Sequence, residues 1–315
     1  MNGQVKNWSW FLVIMGMILG IGIYLGSSRR AELGGSFNYS LDEYRTVDEA
    51  LIRYRETEPL AITLEDPSAL ALDAAGNTYV AGRGSIAVYP AQRLIPVEGS
   101  PTCLAVDASG TVYAGFTNRI DILPREGEQS SIEVPSDKAY LTSLAVDARY
   151  VYAADAGSRK IWRFSLDGGE PFEIGHEDGA GARGFYVPSP FFDIALVGDG
   201  SLWAVNPGYH ALEHYGADGT YLSGWEKSSM TIEGFSGCCN PSHIALLPDG
   251  AFVTAEKGLP RVKIHESDGT LRCVVAAPDQ FDEEVTGLDL AVDSRGCILV
   301  LDADRKQVRI FEEKP

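Results

Sequence analysis

Residues 104–116, "LAVDASGTVYAGF", are one copy of a pattern that recurs along the chain. The pattern predicts a small-apolar strand, a turn containing Asp and Gly, and a second strand rich in aromatic and β-branched residues. Six copies share an alanine near the start of the first strand: Ala71, Ala105, Ala145, Ala195, Ala245 and Ala291. The successive spacings are 34, 40, 50, 50 and 46 residues, and periods of this length predict a propeller or a solenoid.

Most copies continue into two further strands, such as "RIDILP" (119–124) and "LRCVVA" (271–276). Four short strands per unit are typical of a propeller blade. The last unit, at 290–312, has only three strands, whereas "PLAITLE" (59–65) stands alone before the first unit. We therefore predict an all-β fold, a six-bladed β-propeller at residues 59–315. Its amino-terminal strand completes the last blade and removes an open sheet edge.

These units resemble the NHL-repeat family of β-propellers, in which "GLAVD", a glycine turn, "IYVAD" and "RIQVF" follow one another. The nearest matches are "PTCLAVDASGTVYAG" (101–115) and "TGLDLAVDSRGCILVLDADRKQVRIF" (286–311), and the resemblance covers residues 59–313. It implies the fold and leaves the activity open, because propellers serve as binding proteins, hydrolases and lyases.

The amino-terminal region predicts a membrane anchor. After a flank at residues 1–7, residues 8–26 contain no charged side chain, and as a helix they span about 28 Å, close to the hydrocarbon thickness of a bilayer. This arrangement is typical of an uncleaved transmembrane signal anchor. It favours a single-pass protein of the cell membrane with the propeller on the periplasmic or extracellular side, although the flanking basic residues are nearly balanced.

A linker at residues 27–58 follows the anchor. Leu41, Tyr44, Leu51 and Tyr54 recur at helical spacing within it, and Pro59 ends the pattern, so we predict a short amphipathic helix.

The chain is strongly acidic, with 26 basic and 44 acidic side chains and a net charge of -18. Such a surface repels phosphate backbones, which argues against nucleic-acid binding. The sequence also contains no phosphate loop, nucleophile elbow, H-E-x-x-H motif or haem-attachment motif.

The loop "GFSGCCNPSH" (234–243) leads into the fifth unit and carries the adjacent residues Cys238 and Cys239. The two thiols could close into a vicinal disulfide, remain reduced and partly buried, or act as metal ligands. We expect the vicinal disulfide first. Asn240 and the following proline indicate a turn, and Lys257 lies on a neighbouring loop of the same predicted face.

A candidate metal site comes from the residue that precedes each unit's first apolar position. These residues are Ala69, Cys103, Ser143, Asp193, His243 and Asp289. They are expected to surround the mouth of the central channel, where Cys103, Asp193, His243 and Asp289 could bind a divalent metal, the one cofactor that these residues suggest. The alternative is that strand starts simply tolerate small or polar residues.

Three functions remain open. The first, which we favour, is a membrane-tethered binding or scaffold module with a protein partner, as an accessory subunit of a membrane complex. The second is a metal-dependent enzyme that resembles lactonases, with Asn206, Glu256 and Asp302 in second-to-third-strand loops imitating the metal ligands of that class. The third is a redox or metal-handling protein that uses the Cys238–Cys239 loop.

Overall fold

The computed structural model describes residues 12–13, 15–17, 42–177, 181–282, 285 and 287–315. Residues 12–13 and 15–17 are helical. Among the described residues, no helix has both the length and the apolar character needed to cross a bilayer. Most of the predicted anchor at residues 8–26 lies outside the described ranges.

Short strands dominate the compact unit from Asp42 to Pro315. The first two are β1 (Tyr54–Glu56) and β2 (Leu60–Ala61). Blade 1 contains β3 (Ala69–Leu72), β4 (Thr78–Gly82), β5 (Ser85–Tyr89) and β6 (Arg93–Pro96). Blade 2 contains β7 (Cys103–Val106), β8 (Val112–Gly115), β9 (Arg119–Leu123) and β10 (Ser130–Glu133). Blade 3 contains β11 (Leu141–Val146), β12 (Tyr150–Asp155), β13 (Lys160–Ser165) and β14 (Phe172–Ile174).

The other three blades follow the same order. Blade 4 contains β15 (Ile194–Leu196), β16 (Leu202–Asn206), β17 (Ala211–Tyr215) and β18 (Tyr221–Glu226). Blade 5 contains β19 (His243–Leu246), β20 (Phe252–Glu256), β21 (Arg261–His265) and β22 (Leu271–Ala276). Blade 6 contains β23 (Asp289–Val292), β24 (Ile298–Asp302) and β25 (Gln307–Glu313).

Each blade is an antiparallel sheet in chain order, and the blades form a ring. The first strands of successive blades contact one another, and β23 of the last blade contacts β3 of the first. The described part of the chain thus forms a closed six-bladed propeller, which confirms the all-β architecture predicted from the repeats.

The turn between the first two strands of a blade explains the recurring Asp and Gly. In blade 2, Oδ1 of Asp107 accepts hydrogen bonds from the backbone nitrogens of Ser109 (2.8 Å) and Thr111 (2.9 Å). Gly110 adopts a φ of 83°, which is strained for residues with a Cβ. The repeated motif therefore builds a turn, on the face of the propeller opposite to the cysteine loop.

The closure of the ring differs in detail from the prediction. β25 pairs with β2 as expected, but it also pairs with β1, in the register Tyr54 with Glu313. Arg309, which is buried in β25, donates two hydrogen bonds of 2.8 and 2.7 Å to the carboxylate of Glu56. The strand that completes blade 6 therefore begins before residue 59.

The predicted amphipathic helix in the linker is wrong beyond its first turn. The structure has a four-residue helix, α1 (Asp42–Arg45), and a 3₁₀ turn at Glu49–Leu51, after which the chain is extended. An isolated helix of the predicted length is marginally stable, whereas the edge of β25 offers hydrogen-bond partners to the backbone of an extended segment. Tyr54 is also buried in the core between blades 5 and 6.

Candidate functional site

Four of the strand-start residues lie around one small cavity, and the carboxylates of Asp193 and Asp289 join neighbouring blades. Asp193 accepts a hydrogen bond of 2.9 Å from the backbone nitrogen of Ile194 and one of 2.7 Å from that of Ile244 in the next blade. Asp289 accepts a hydrogen bond of 2.8 Å from the backbone nitrogen of Leu290 and one of 2.7 Å from that of Leu70 in blade 1. Both carboxylates therefore act as links between blades.

His243 sits between these two aspartates. Its Nδ1 atom lies 3.5 Å from Asp193 Oδ2 and 3.4 Å from Asp289 Oδ1. Burial lowers the pKa of His243, but the two carboxylates outweigh this effect and leave the pKa raised. Burial, opposed by the charge of His243, raises the pKa of Asp289 to about 6.

Asp193 and Asp289 line a cavity of about 90 Å³ together with Cys103 and Ser143. Burial raises the pKa of the Cys103 thiol, so this thiol is a poor thiolate donor. Among the described residues, no group of three or more His, Cys, Asp or Glu side chains is placed to hold a metal ion. The geometry therefore favours the structural role of the strand starts over the metal site suggested for Cys103, Asp193, His243 and Asp289.

Asn206, Glu256 and Asp302, the ligand set expected of a lactonase-like enzyme, are buried and engaged inside their own blades. Asn206 accepts a hydrogen bond from the backbone nitrogen of Tyr186 (2.9 Å) and donates one to Glu213 (3.0 Å). Oδ1 of Asp302 accepts one from the backbone nitrogen of Arg305 (3.2 Å).

The charges of this set are also balanced locally. Oδ2 of Asp302 has no hydrogen-bond partner and lies 3.8 Å from Nη1 of Arg309. Glu256 forms ion pairs with Arg261 (2.6 Å) and Lys263 (2.8 Å). A divalent metal at these side chains would have to displace those cations, so the residues do not fit such a site.

The cysteine loop belongs to a long connection, residues 227–242, between β18 and β19. Asn240 fixes its end: the side chain donates to the carbonyl oxygens of Ser236 (2.7 Å) and Lys257 (3.0 Å) and accepts from the backbone nitrogen of Lys257 (3.0 Å). The chain bends at residues 237–239, just before Asn240, and the Asn240–Pro241 peptide is cis. Asn240 thereby holds the Cys238–Cys239 loop against the neighbouring loop of blade 5.

A buried cluster of charges supports the same connection from below. Glu256 accepts a hydrogen bond of 2.7 Å from the backbone nitrogen of Ser236, while Arg261 donates to the carbonyl of Gly234 (3.0 Å). Lys263 is completely buried, and burial lowers its pKa to about 8. Sequence reasoning missed these cations, because the alternation of "RVKIH" (261–265) gives no sign that both faces of the strand are covered.

Cys238 and Cys239 are thiols in the structure, and all five cysteines, each within the described ranges, are free. The vicinal disulfide that we expected first is therefore not the state observed. Cys238 is exposed and Cys239 is buried, and their sulfurs lie 3.1 Å apart. The Cys239 sulfur also accepts hydrogen bonds from Nζ of Lys257 (3.0 Å) and Oγ of Ser189 (3.2 Å).

These contacts separate the acidities of the two thiols. Burial raises the pKa of Cys239, but the hydrogen bonds from Lys257 and Ser189 outweigh it and hold the pKa below its usual value. The hydrogen bond with Cys239 and the charge of that sulfur raise the pKa of Cys238. Ionisation is therefore favoured at the buried Cys239 sulfur over the exposed Cys238 sulfur.

A second feature of this face, which sequence reasoning missed, is an exposed aromatic patch. Tyr186 and Tyr209 are 47% and 39% exposed, and their ring centroids lie 5.9 Å apart. The guanidinium of Arg183 lies 3.9 Å above the Tyr209 ring. We call these three residues the tyrosine patch.

One close approach holds the tyrosine patch together, and one contact joins it to the cysteine loop. A Cβ on Gly208 would lie 2.6 Å from the carbonyl oxygen of Tyr186, so only glycine allows the two loops to approach this closely. Nδ1 of His210, a residue in the left-handed region, lies 3.2 Å from the carbonyl oxygen of Asn240.

Comparisons with known proteins support the fold. No protein-family model matches the chain, and no curated protein matches its sequence. Virginiamycin B lyase from Staphylococcus aureus is similar in structure, with a TM-score of 0.59 and 13% identity over 83% of this chain and 100% of the lyase. A gluconolactonase from Xanthomonas campestris has a TM-score of 0.62 and 14% identity, covering 85% of this chain and 94% of the lactonase.

A WD40 β-propeller domain is also similar, with a TM-score of 0.56 and 18% identity over 79% of each chain. At these identities the likeness shows the propeller fold and carries no activity over.

Proposed function

We propose that this chain is a membrane-tethered, NHL-type propeller that binds a partner protein through the tyrosine patch. In this proposal residues 8–26 anchor the chain in the cell membrane, and the propeller lies on the periplasmic or extracellular side. The partner is another subunit of a membrane complex. The observation that carries the proposal is the exposed Tyr186–Tyr209 pair with Arg183 above one ring.

The chemistry of the tyrosine patch suits protein recognition. Tyr and Arg are enriched among residues that contribute most to protein–protein affinity, because they bury a large area while keeping a polar tip. Arg183 also pairs with Glu213 (3.2 Å) and Glu226 (2.9 Å), so its charge is already balanced when a partner covers it.

Buried side chains support the loops that carry the patch. Asn206, Asn240 and the buried Glu256 cluster hold the loops of blades 4 and 5 through hydrogen bonds to backbone groups. Loops that are already ordered lose less conformational entropy when a partner docks. By contrast, the engaged side chains of Asn206, Glu256 and Asp302 give the lactonase-like alternative no support.

A site-specific photocrosslinker tests the proposal in membranes that contain the full chain. Placed at Tyr209, it should form one discrete adduct. Placed at Leu166, which is 36% exposed on the opposite face, it should form none. Mass spectrometry then identifies the partner, and equal adducts from both positions would contradict the proposed face.

Truncation measures the contribution of the patch once the partner is known. Residues at the centre of an interface contribute about 2 kcal/mol or more, roughly thirty-fold in Kd. The double variant Tyr186→Ala, Tyr209→Ala should therefore weaken binding by at least about thirty-fold. Leu166→Ala should leave the affinity unchanged. Equal affinities of the double variant and the unaltered chain would overturn the proposal.

A further inference from the structure

The Cys238–Cys239 loop combines an exposed thiol with a buried sulfur that a cation and a hydroxyl group contact. Cys238 reaches solvent, whereas Cys239 is about 1% exposed and receives hydrogen bonds from a cation and a hydroxyl, Lys257 and Ser189. The 3.1 Å between the sulfurs lets Cys238 share its proton with Cys239. An accessible thiol beside an internal base is the arrangement that thiol chemistry requires.

We propose that Cys238 and Cys239, supported by Lys257 and Ser189, form a redox-active dithiol that reduces an accessible disulfide by thiol–disulfide exchange. The reaction requires no docked protein, so it stands apart from the proposed role of the tyrosine patch.

The first step forms a mixed disulfide. The Cys238 sulfur attacks one sulfur of the substrate disulfide while its proton passes to the Cys239 thiolate. A bond forms between Cys238 and the substrate sulfur, the substrate S–S bond breaks, and the departing thiolate takes a proton from water.

The second step closes the vicinal disulfide. Cys239 returns its proton to water and attacks the Cys238 sulfur, which displaces the second substrate sulfur as a thiolate that water protonates. Two electrons pass from the cysteine pair to the substrate, which leaves as two thiols. The negative charge facing Lys257 disappears at the same time.

The other cysteines provide an internal comparison. Cys103, Cys273 and Cys297 are buried, and burial raises the pKa of each, for Cys273 to about 11. These thiols should not react while the protein is folded. They therefore report the integrity of every variant in the same experiment.

The test uses the full chain in detergent, reduced and then exposed to oxidised glutathione between pH 5 and 9. After quenching with an alkylating reagent, trypsin releases residues 228–257, which carry both cysteines. In the unaltered chain this peptide should escape alkylation and weigh two hydrogens less than the unalkylated dithiol peptide. The pH midpoint of this oxidation should lie below the usual thiol pKa of about 8.5.

Variants of Lys257 separate chemistry from structure. Lys257→Gln removes the cation, and its tryptic peptide runs on to Arg261. The midpoint should move to higher pH by about one unit, slowing oxidation at pH 7 about tenfold. Lys257→Arg keeps the charge and should keep the midpoint. An unchanged midpoint in Lys257→Gln would overturn the proposal.

Variants of the cysteines test the order of the steps. Cys239→Ser should accumulate glutathione on Cys238, and Cys238→Ser should remain unreacted. The proposal fails if the unaltered chain does not react or stops at the mixed disulfide. If Cys103, Cys273 or Cys297 reacts in a variant, that variant has lost its integrity and is set aside. Ser189→Ala is then tested in its place, and its pH midpoint must lie above that of the unaltered chain because one hydrogen bond to Cys239 is lost.

Discussion

Asp193 joins its own blade to the next one, because its Oδ2 atom accepts a hydrogen bond of 2.7 Å from the backbone nitrogen of Ile244. Its Oδ1 atom accepts a hydrogen bond of 2.9 Å from the backbone nitrogen of Ile194 in its own blade. Ser143 makes a related contact one blade earlier, where its hydroxyl accepts from the backbone nitrogen of Ile194 at 3.3 Å. The start of an innermost strand is thus held by a side chain of the preceding blade.

Asp193→Asn should destabilise the propeller by about 1–3 kcal/mol. The amide keeps one acceptor oxygen but turns an NH₂ group toward one of two backbone nitrogens, so one buried N–H group loses its partner. Urea unfolding of the full chain in detergent measures the change. The control is Asp199→Asn in an exposed turn of the same blade, where the amide oxygen can still serve Ser201 and the change should stay within about 0.5 kcal/mol. Equal effects of the two substitutions would contradict the link.

The His243 site should make stability fall as pH rises. The pKa of His243 is raised from 6.5, so its contribution is complete below pH 6.5 and is lost as pH passes the folded value. The pKa of Asp289 is raised from 3.8 to about 6, so the folded state binds this proton more tightly than the unfolded chain does between pH 3.8 and 6. Stability therefore falls with rising pH in that range as well.

His243→Gln tests this dependence. The substitution should cost about 1–3 kcal/mol at pH 6 and progressively less toward pH 9, because it removes the ion pairs of the charged imidazole with Asp193 and Asp289. Unfolding free energies at a series of pH values give the difference between the two proteins. His176→Gln changes an exposed histidine paired with Glu173 and should show a much flatter difference. A constant difference for His243→Gln would rule out the raised pKa.

Glu256→Gln should be the most destabilising of these substitutions, at about 3–5 kcal/mol, because it leaves the buried cations of Arg261 and Lys263 without their carboxylate. Urea unfolding at pH 7 measures the loss. Glu266→Gln is the matched control in the same blade: its partner Arg272 and Glu266 itself are partly exposed, so the loss should stay below about 1 kcal/mol. Similar losses would show that the buried cluster contributes no more than a surface pair.

Lys263 adds a pH dependence of the opposite sign to that of His243. Its pKa is lowered from 10.5 to about 8, so the unfolded chain binds this proton more tightly and stability should rise between pH 8 and 10.5. Glu256 raises the pKa of Lys263, so in Glu256→Gln the rise should begin at lower pH. Unfolding free energies measured from pH 7 to 10 give this rise for the unaltered chain and for Glu256→Gln. The expectation fails if stability rises over the same pH range in both proteins.

The closure of blade 6 should depend on Glu56. Glu56→Gln removes the charge that Arg309 contacts through two hydrogen bonds, and we expect a loss of about 1–3 kcal/mol at pH 7. The hydrogen bond from Arg309 lowers the pKa of Glu56 below 4.5. Its contribution is therefore present above pH 4.5 and disappears as pH falls through the folded value.

Glu312→Gln is the control, since the Arg55–Glu312 pair joins the same two strands at 3.4 Å but is exposed. Its effect on urea unfolding should stay below about 1 kcal/mol. If Glu312→Gln costs as much as Glu56→Gln, the Glu56–Arg309 pair does not fasten the ring.

The propeller could be predicted from the sequence because its signal is local. Asp107 and the nitrogens that it binds lie within four residues of each other, so the turn motif appears directly in the chain, once per blade. The same periodicity placed Asp193, His243 and Asp289 at one mouth, since strand starts of equivalent register must meet around the axis.

The remaining features depend on contacts between distant residues. Glu56 and Arg309 are 253 residues apart, so the sequence near residues 54–56 does not indicate that a strand forms there in place of the predicted helix. Ser189 and Lys257 meet Cys239 from 50 and 18 residues away. A thiol's acidity and a carboxylate's freedom to bind metal depend on which charges folding brings within about 4 Å, and residue spacing does not encode that distance.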